Sequence, residues 1–239
     1  MLTHEVDIAF SPQSRVGSLA VSNDGKIIAW SESDQSVNIL VEMGKVQKIS
    51  IESDPKGIFF QDNYLIYADD DFGVKCVDTS GETIWQCEIP GGVSLLQKCQ
   101  DFIAVVDNLG RLSTLSHHGN SLKSFDQFTS IIMILPYSNG VIVVLESGSV
   151  HFFDGQHSVW NRPARGEVGE SITNVGLTAE NKLIIGREGY ALVPGEEEAL
   201  ELEVWDVTQD SMLFRCEIKN RLLLACDDNK ITYLGFDDG

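Results

Sequence analysis

Short apolar runs recur along the whole chain, each ending in a polar turn, and no stretch carries the three- to four-residue period of an amphipathic helix. The clearest unit covers residues 64–90. Residues 64–68 read as one strand, 69–73 as an acidic turn closed by glycine, 74–77 as a second strand, 78–81 as another turn, and 83–89 as a third strand carrying Trp85. Near-copies of its first half read IIAWSESD, FIAVVDNLG, VIVVLESG, KLIIGREG and RLLLACDDN. Aligned on Ile27, Tyr64, Phe102, Val141, Lys182 and Arg221, the copies stand 37, 38, 39, 41 and 39 residues apart. One four-stranded propeller blade occupies roughly 40 residues. The spacing therefore predicts an all-β, six-bladed β-propeller of four-stranded antiparallel blades, forming a single domain over residues 1–239.

Within each repeat the aligned hairpin supplies the second and third strands. First strands are expected at 16–22, 57–61, 93–98, 131–136, 172–178 and 212–217; rich in branched residues without clean alternation, they read as buried on both faces. Fourth strands are expected at 46–51, 83–89, 121–125, 158–161 and 200–207. Gly73, Gly110, Gly148 and Gly189 close the turn between second and third strands, where positive φ is useful. In the fifth repeat, Glu203-Val204-Trp205-Asp206 is similar to the Trp-Asp ending of the third strand in WD-repeat proteins. A third strand ending there leaves only 13 residues, 208–220, for two further strands, so the spacing places it at 190–193 and Trp205 on the fourth strand. The last repeat stops after a third strand at 231–236, and residues 5–10 form a strand with no repeat of their own. The N-terminal strand is thus expected to pair with 231–236 and close the ring, which removes the free sheet edges.

The segment CVDTSGETIW, residues 76–85, resembles the tryptophan-docking repeat of quinoprotein-like propellers, with Asp78, Gly81 and a tryptophan four residues beyond that glycine. Asp154, Gly155 and Trp160 follow the pattern with one extra residue. The resemblance implies a propeller in which the Trp85 ring packs against an adjacent blade. It carries over no activity: the dehydrogenases of that superfamily use larger rings, a vicinal cysteine pair and calcium, and this chain has neither the pair nor the length.

Charge narrows the partners. With 36 acids against 17 bases and a formal charge of -19, the chain lacks the basic face that nucleic-acid binding needs. The five cysteines form no C-x-x-C pair, lie mostly within apolar alternation and read as reduced small hydrophobes, which favours a cytoplasmic location. The opening residues have no basic segment and apolar core of a secretion signal, and the longest apolar tract, 131–145, is broken by Pro136, Ser138, Asn139 and Gly140 and is too short to span a bilayer. No membrane role and a monomer are expected.

Candidate chemistry is sparse. No P-loop, H-E-x-x-H or nucleophile-elbow pattern is present, and His117, His118 and His157 fall in turns, where they read as solvated residues, so neither metal nor cofactor is expected. Arg162 and Arg165 form the one basic cluster and are candidates for gripping an anion. The turns between second and third strands all carry acids: Glu32 and Asp34; Asp69, Asp70 and Asp71; Asp107; Glu146; Glu188; Asp227 and Asp228. Antiparallel connectivity puts these turns on one face of a propeller, where a ring of negative potential would steer a basic protein segment. The function expected is a non-catalytic protein-interaction module. The alternative is an enzyme or small-ligand sensor using the central channel.

Overall fold

A computed structural model of the chain describes residues 12–41, 46–51, 53–69, 72–120, 123–165, 169–178, 180–189, 199–227 and 232–237. They divide into two compact units, Met1–Lys98 with Phe102–Ser124, and Cys99–Asp101 with Phe125–Gly239.

The first unit holds three blades. Blade 1 is β1 (Val16–Val21), β2 (Ile27–Glu32), β3 (Ser36–Val41) and β4 (Val46–Ser50); blade 2 is β5 (Ile58–Gln61), β6 (Tyr64–Asp69), β7 (Gly73–Val77) and β8 (Thr83–Cys87). Blade 3 is β9 (Val93–Lys98), β10 (Ile103–Asp107), β11 (Leu112–Leu115) and β12 (Lys123–Phe125). Each is a four-stranded meander in chain order. The second unit has blade 4, β13 (Ile131–Tyr137), β14 (Gly140–Leu145), β15 (Val150–Phe153) and β16 (Ser158–Arg162), then blade 5, β17 (Glu170–Leu177), β18 (Lys182–Gly189), β19 (Leu200–Asp206) and β20 (Ser211–Glu217). A two-stranded sheet follows, β21 (Leu222–Asp227) with β22 (Thr232–Phe236).

Burial explains the composition of the strands. In blade 2, Leu65, Tyr67 and Val77 pack with Ala29, Val37 and Ile39 of blade 1, while the alternate positions Ile66, Ala68, Val74 and Cys76 pack with Val93, Ile103 and Val105 of blade 3. Both faces of a second strand are therefore covered, and the side-chain period of two gives a continuous apolar run rather than alternation. β10 is buried at every position, and β14 at all but its last. The first strands depart from expectation. β1 leaves Leu19 64% and Val21 51% exposed.

Blade 5 corrects the strand assignment. β18 pairs with β19 from Lys182↔Asp206 to Glu188↔Leu200, and β19 pairs with β20 from Glu201↔Glu217 to Asp206↔Ser211. Leu200–Asp206 is the third strand and ends in Trp205-Asp206 as a WD repeat does, and Ser211–Glu217 is the fourth strand rather than the first of the next blade. Residues 190–193 lie outside the described residues. The expectation failed because it shared residues 208–220 between two strands, whereas β20 takes most of them and the following first strand starts at Leu222. Gly189 is correspondingly the last residue of β18 rather than a positive-φ turn glycine; Gly73, Gly110 and Gly148 do have φ of 87°, 72° and 90°.

β21 then takes the place of a first strand. Its Leu223 carbonyl accepts a bond from Asn174 Nδ2 at 2.7 Å, and Ala225 lies so close to Gly176 that a Cβ there would meet its methyl. In the first unit Gly57 meets Leu96 of the next first strand in the same way. The aligned sixth copy is thus one strand out of phase: an apolar first strand and an apolar second strand look alike in sequence. β22 is the second strand of its sheet, and residues 5–10, expected to pair with it, lie outside the described residues.

Candidate functional site

Three structural devices hold the loops in place, and they decide which polar groups are available. The first caps the turn after the third strand in blades 2, 4 and 5. Asp78 Oδ1 accepts from the Ser80 and Glu82 amides, Asp154 Oδ1 from those of Gln156 and His157, and Asp206 Oδ1 from those of Thr208 and Gln209, all at 2.7–3.0 Å. This is the Asx-turn use of aspartate, and it accounts for the Asp of the repeat motif without ligand chemistry. In the second device an outer-strand side chain docks on the next blade. A Cβ on Gly119, φ 76°, would lie 2.4 Å from Trp85 Cε3, so the Trp85 ring rests on the turn between β11 and β12 as the resemblance implies. Ile49 rests on Gly81 in the same way, and Trp160 packs edge-on to Trp205 at 5.8 Å.

The third device is burial of acids at the turns between second and third strands. Glu32 is 3% exposed and accepts from Trp30 Nε1 at 2.7 Å, Asn38 Nδ2 at 3.2 Å and the Gln13 and Ser14 amides at 3.0 and 2.9 Å. Burial alone pushes its carboxyl upward, but these donors outweigh it and hold the group below the usual range. Asp69, 2% exposed, accepts from the Phe72 amide, and Asp107, 6% exposed, caps the Leu109 and Arg111 amides and pairs with the Arg111 guanidinium. Glu188 pairs with Arg221 at 2.6 Å and Asp34 with Lys48 at 2.6 Å. Glu146 is exposed. Asp70, Asp71 and Asp228 lie outside the described residues, as does the side chain of Asp227. Glu32, Asp69 and Asp107 are thereby committed to their own turns.

What that end of the first unit does offer is concavity. Two adjoining recesses, of about 390 and 320 Å³, share Ser33 and Asp54. One is lined by Ser33, Asp34, Gln35, Ser53, Asp54 and Lys56, that is, by the β2–β3 turn and the connection entering blade 2; the other reaches Arg15 and Gly17. Ser33, Asp34, Gln35 and Asp54 are exposed. None of Ser33, Gln35 and Asp54 stands out in the sequence, where each reads as an ordinary turn residue.

The arginine pair lies in a buried ionic cluster of the second unit. Arg162, 1% exposed, bonds both oxygens of Glu170, both of Glu203 (3.0 Å) and the Gly148 carbonyl (3.0 Å). Burial opposes its charge, and the two carboxylates more than restore it. Arg187 joins Glu170 to Glu201, Arg215 bonds Glu201, and Arg165 bonds Glu201 at 3.0 Å and Glu203 at 2.8 Å. Burial raises and the surrounding donors lower the Glu203 carboxyl, with the lowering prevailing. Trp205 Nε1 also donates to Glu203, at 2.8 Å. Arg162 is therefore closed to an external anion, and the candidate pair does not act as a unit; Arg165 remains about a third exposed. Among the described residues no group of three His, Cys, Asp or Glu side chains is placed to hold a metal, and no helix is long and apolar enough to cross a membrane.

No family model and no curated protein matches the sequence. Solved structures do. The WD40 repeats of RRP9 are 14% identical with a TM-score of 0.68, over 93% of this chain and 73% of that one. The WD40 β-propeller domain of Doa1 is 10% identical with a TM-score of 0.65, over 95% and 78%. BamB from Moraxella catarrhalis is 11% identical with a TM-score of 0.59, over 96% and 83%. The likeness is one of fold, that of the β-propeller. Within it this chain combines a WD ending in blade 5 with tryptophan-on-glycine docking between blades 2 and 3.

Proposed function

We propose that the protein is a non-catalytic, cytoplasmic interaction module that binds a protein partner at the turn end of blades 1 and 2. The observation that carries this reading is the pair of adjoining polar recesses sharing Ser33 and Asp54. They form at the end of the sheets where the acidic turns lie, and their exposed lining offers carboxylate, amide and hydroxyl groups to an extended peptide rather than an enclosed apolar pocket to a cofactor. WD40 structures share the fold and leave function to the surface grafted on it. The net charge of -19 favours a partner with basic residues at the contact, and such an encounter is steered over roughly a Debye length of 10 Å at 0.1 M salt.

The test is affinity capture from source cells at low and high salt with the wild-type protein, Ser33→Trp, which fills the shared recess, and Asp54→Asn, which removes an exposed carboxylate. Specific partners should be lost with Ser33→Trp and should associate more slowly with Asp54→Asn. Partners retained equally by all three proteins at both salt concentrations would place the binding surface elsewhere.

A further inference from the structure

Among the described residues the ionic cluster of blade 5 leaves one positive charge over. Four guanidiniums, Arg162, Arg165, Arg187 and Arg215, meet three carboxylates, Glu170, Glu201 and Glu203. Arg162 and Arg187 are closed in, so the excess falls on the two rim residues, Arg165 and Arg215, whose side chains are 32% and 38% exposed. Neither is saturated among the described residues. Arg165 reaches Glu201 and Glu203 through Nη1 alone, leaving Nε and Nη2, and Arg215 reaches Glu201 through Nε and Nη2, leaving Nη1. Both guanidiniums line a recess of about 220 Å³ whose other walls include Trp205, Met212 and Pro163. The Trp205 indole N–H is held by Glu203, so the ring turns carbon surface to the recess, and Met212 is 48% exposed.

We infer that this recess is a binding site for a carboxylate carried on a short apolar stem, the acid meeting the free donors of Arg165 and Arg215 and the stem lying on Trp205 and Met212. Arginine supplies planar, permanently charged donors for a carboxylate, and the local excess of charge sets the site apart from the acidic remainder of the chain. The volume lies below the roughly 300–1,000 Å³ of pockets for larger ligands, and it fits one side chain, one chain terminus or one small organic acid. The site is independent of the turn-end recesses of the first unit.

Phenylacetate serves as the probe and phenylacetamide as its neutral counterpart, with the indole N–H resonance of Trp205 followed by two-dimensional ¹H–¹⁵N NMR. Phenylacetate should shift that resonance saturably, and phenylacetamide should bind at least tenfold more weakly. Arg215→Gln should weaken phenylacetate about tenfold. Because Arg215 also bonds Glu201, Met212→Glu provides a second variant: it changes an exposed rim position and sets a carboxylate in the recess, which should abolish binding while the remaining spectrum is kept. Acetyl-Gly-Phe with a free carboxylate, compared with its amide, distinguishes the sources: a chain terminus binds more tightly than phenylacetate, a small acid does not require the peptide. Equal shifts from phenylacetate and phenylacetamide, a shift that does not saturate, or unchanged binding to Met212→Glu would overturn the assignment.

Discussion

Replacing Gly119 by alanine tests how the blades of the first unit are locked together. The added methyl would sit 2.4 Å from Trp85 Cε3 and 2.5 Å from Cδ2, a full ångström inside the 3.4 Å at which ordinary contact begins, and against a rigid ring rather than the end of a flexible chain. The residue would also have to keep φ near 76°. The left-handed backbone costs about 1–2 kcal/mol for a residue with a Cβ, and displacing a packed ring costs about 1–3 kcal/mol. Gly119→Ala should therefore destabilise by about 2–5 kcal/mol. In a Trp85→Leu background the clash is relieved and the backbone cost alone remains, so a double-mutant cycle should give about 1–3 kcal/mol of coupling. Urea unfolding followed by far-ultraviolet circular dichroism measures all four proteins without relying on indole fluorescence. If Gly119→Ala costs the same with and without the indole, the ring does not dock on this turn and the periodic lock inferred between blades is wrong.

Arg162→Ala should cost about 3–5 kcal/mol in the same assay, since it strands Glu170 and Glu203, both at most 1% exposed, without their main partner; a loss under 1 kcal/mol would mean that the buried acids are paired otherwise. The depressed carboxyls of Glu203 and Glu32 predict acid sensitivity. The unfolded chain takes up these protons first as pH falls, so their stabilisation is complete above the ordinary value of 4.5 and is lost as pH drops through the lower folded values. The melting temperature should fall below about pH 4.5, and Glu203→Gln should flatten that slope. Burial pushes the Cys76 thiol up to about 11, which leaves about one thiolate in a thousand at pH 8; brief maleimide labelling, read by peptide mass spectrometry, should modify Cys76 only in urea.

Most of the sheet structure was legible because burial on both faces writes itself as an uninterrupted apolar run. Val93–Lys98 matches its expected bounds, and the second and third strands of blade 2, expected at 64–68 and 74–77, agree to within one residue. Tryptophan docking was legible only through the resemblance of residues 76–85; that Gly119 leaves the room beneath the Trp85 ring came from the structure. Phase was not. The period of 39 between Lys182 and Arg221 matched two apolar strands of different rank, and the wide connection between β18 and β19 absorbed the residues that would have betrayed the slip.

That slip also hid the ionic cluster. On a rim strand, Glu201 and Glu203 read as solvated, but on the third strand both faces are covered and every second residue must find a partner inside. Parity then sorts LELEVWD: Leu202 and Val204 lie with Leu222, Cys216 and Phe236, and Glu201, Glu203 and Trp205 turn to the face where Arg162, Arg165 and Arg215 wait. A buried carboxylate costs several kcal/mol unless it is paired and bonded, so two glutamates alternating along an inner strand require basic residues within reach. The Arg162 and Arg165 pair was visible in the sequence, and correct phasing of this strand would have joined it to its acids. The same reasoning separates its members by role: Arg162, enclosed by two carboxylates and a carbonyl, holds the blades of the second unit together, and Arg165 with Arg215, at the open edge, keeps donors for a ligand.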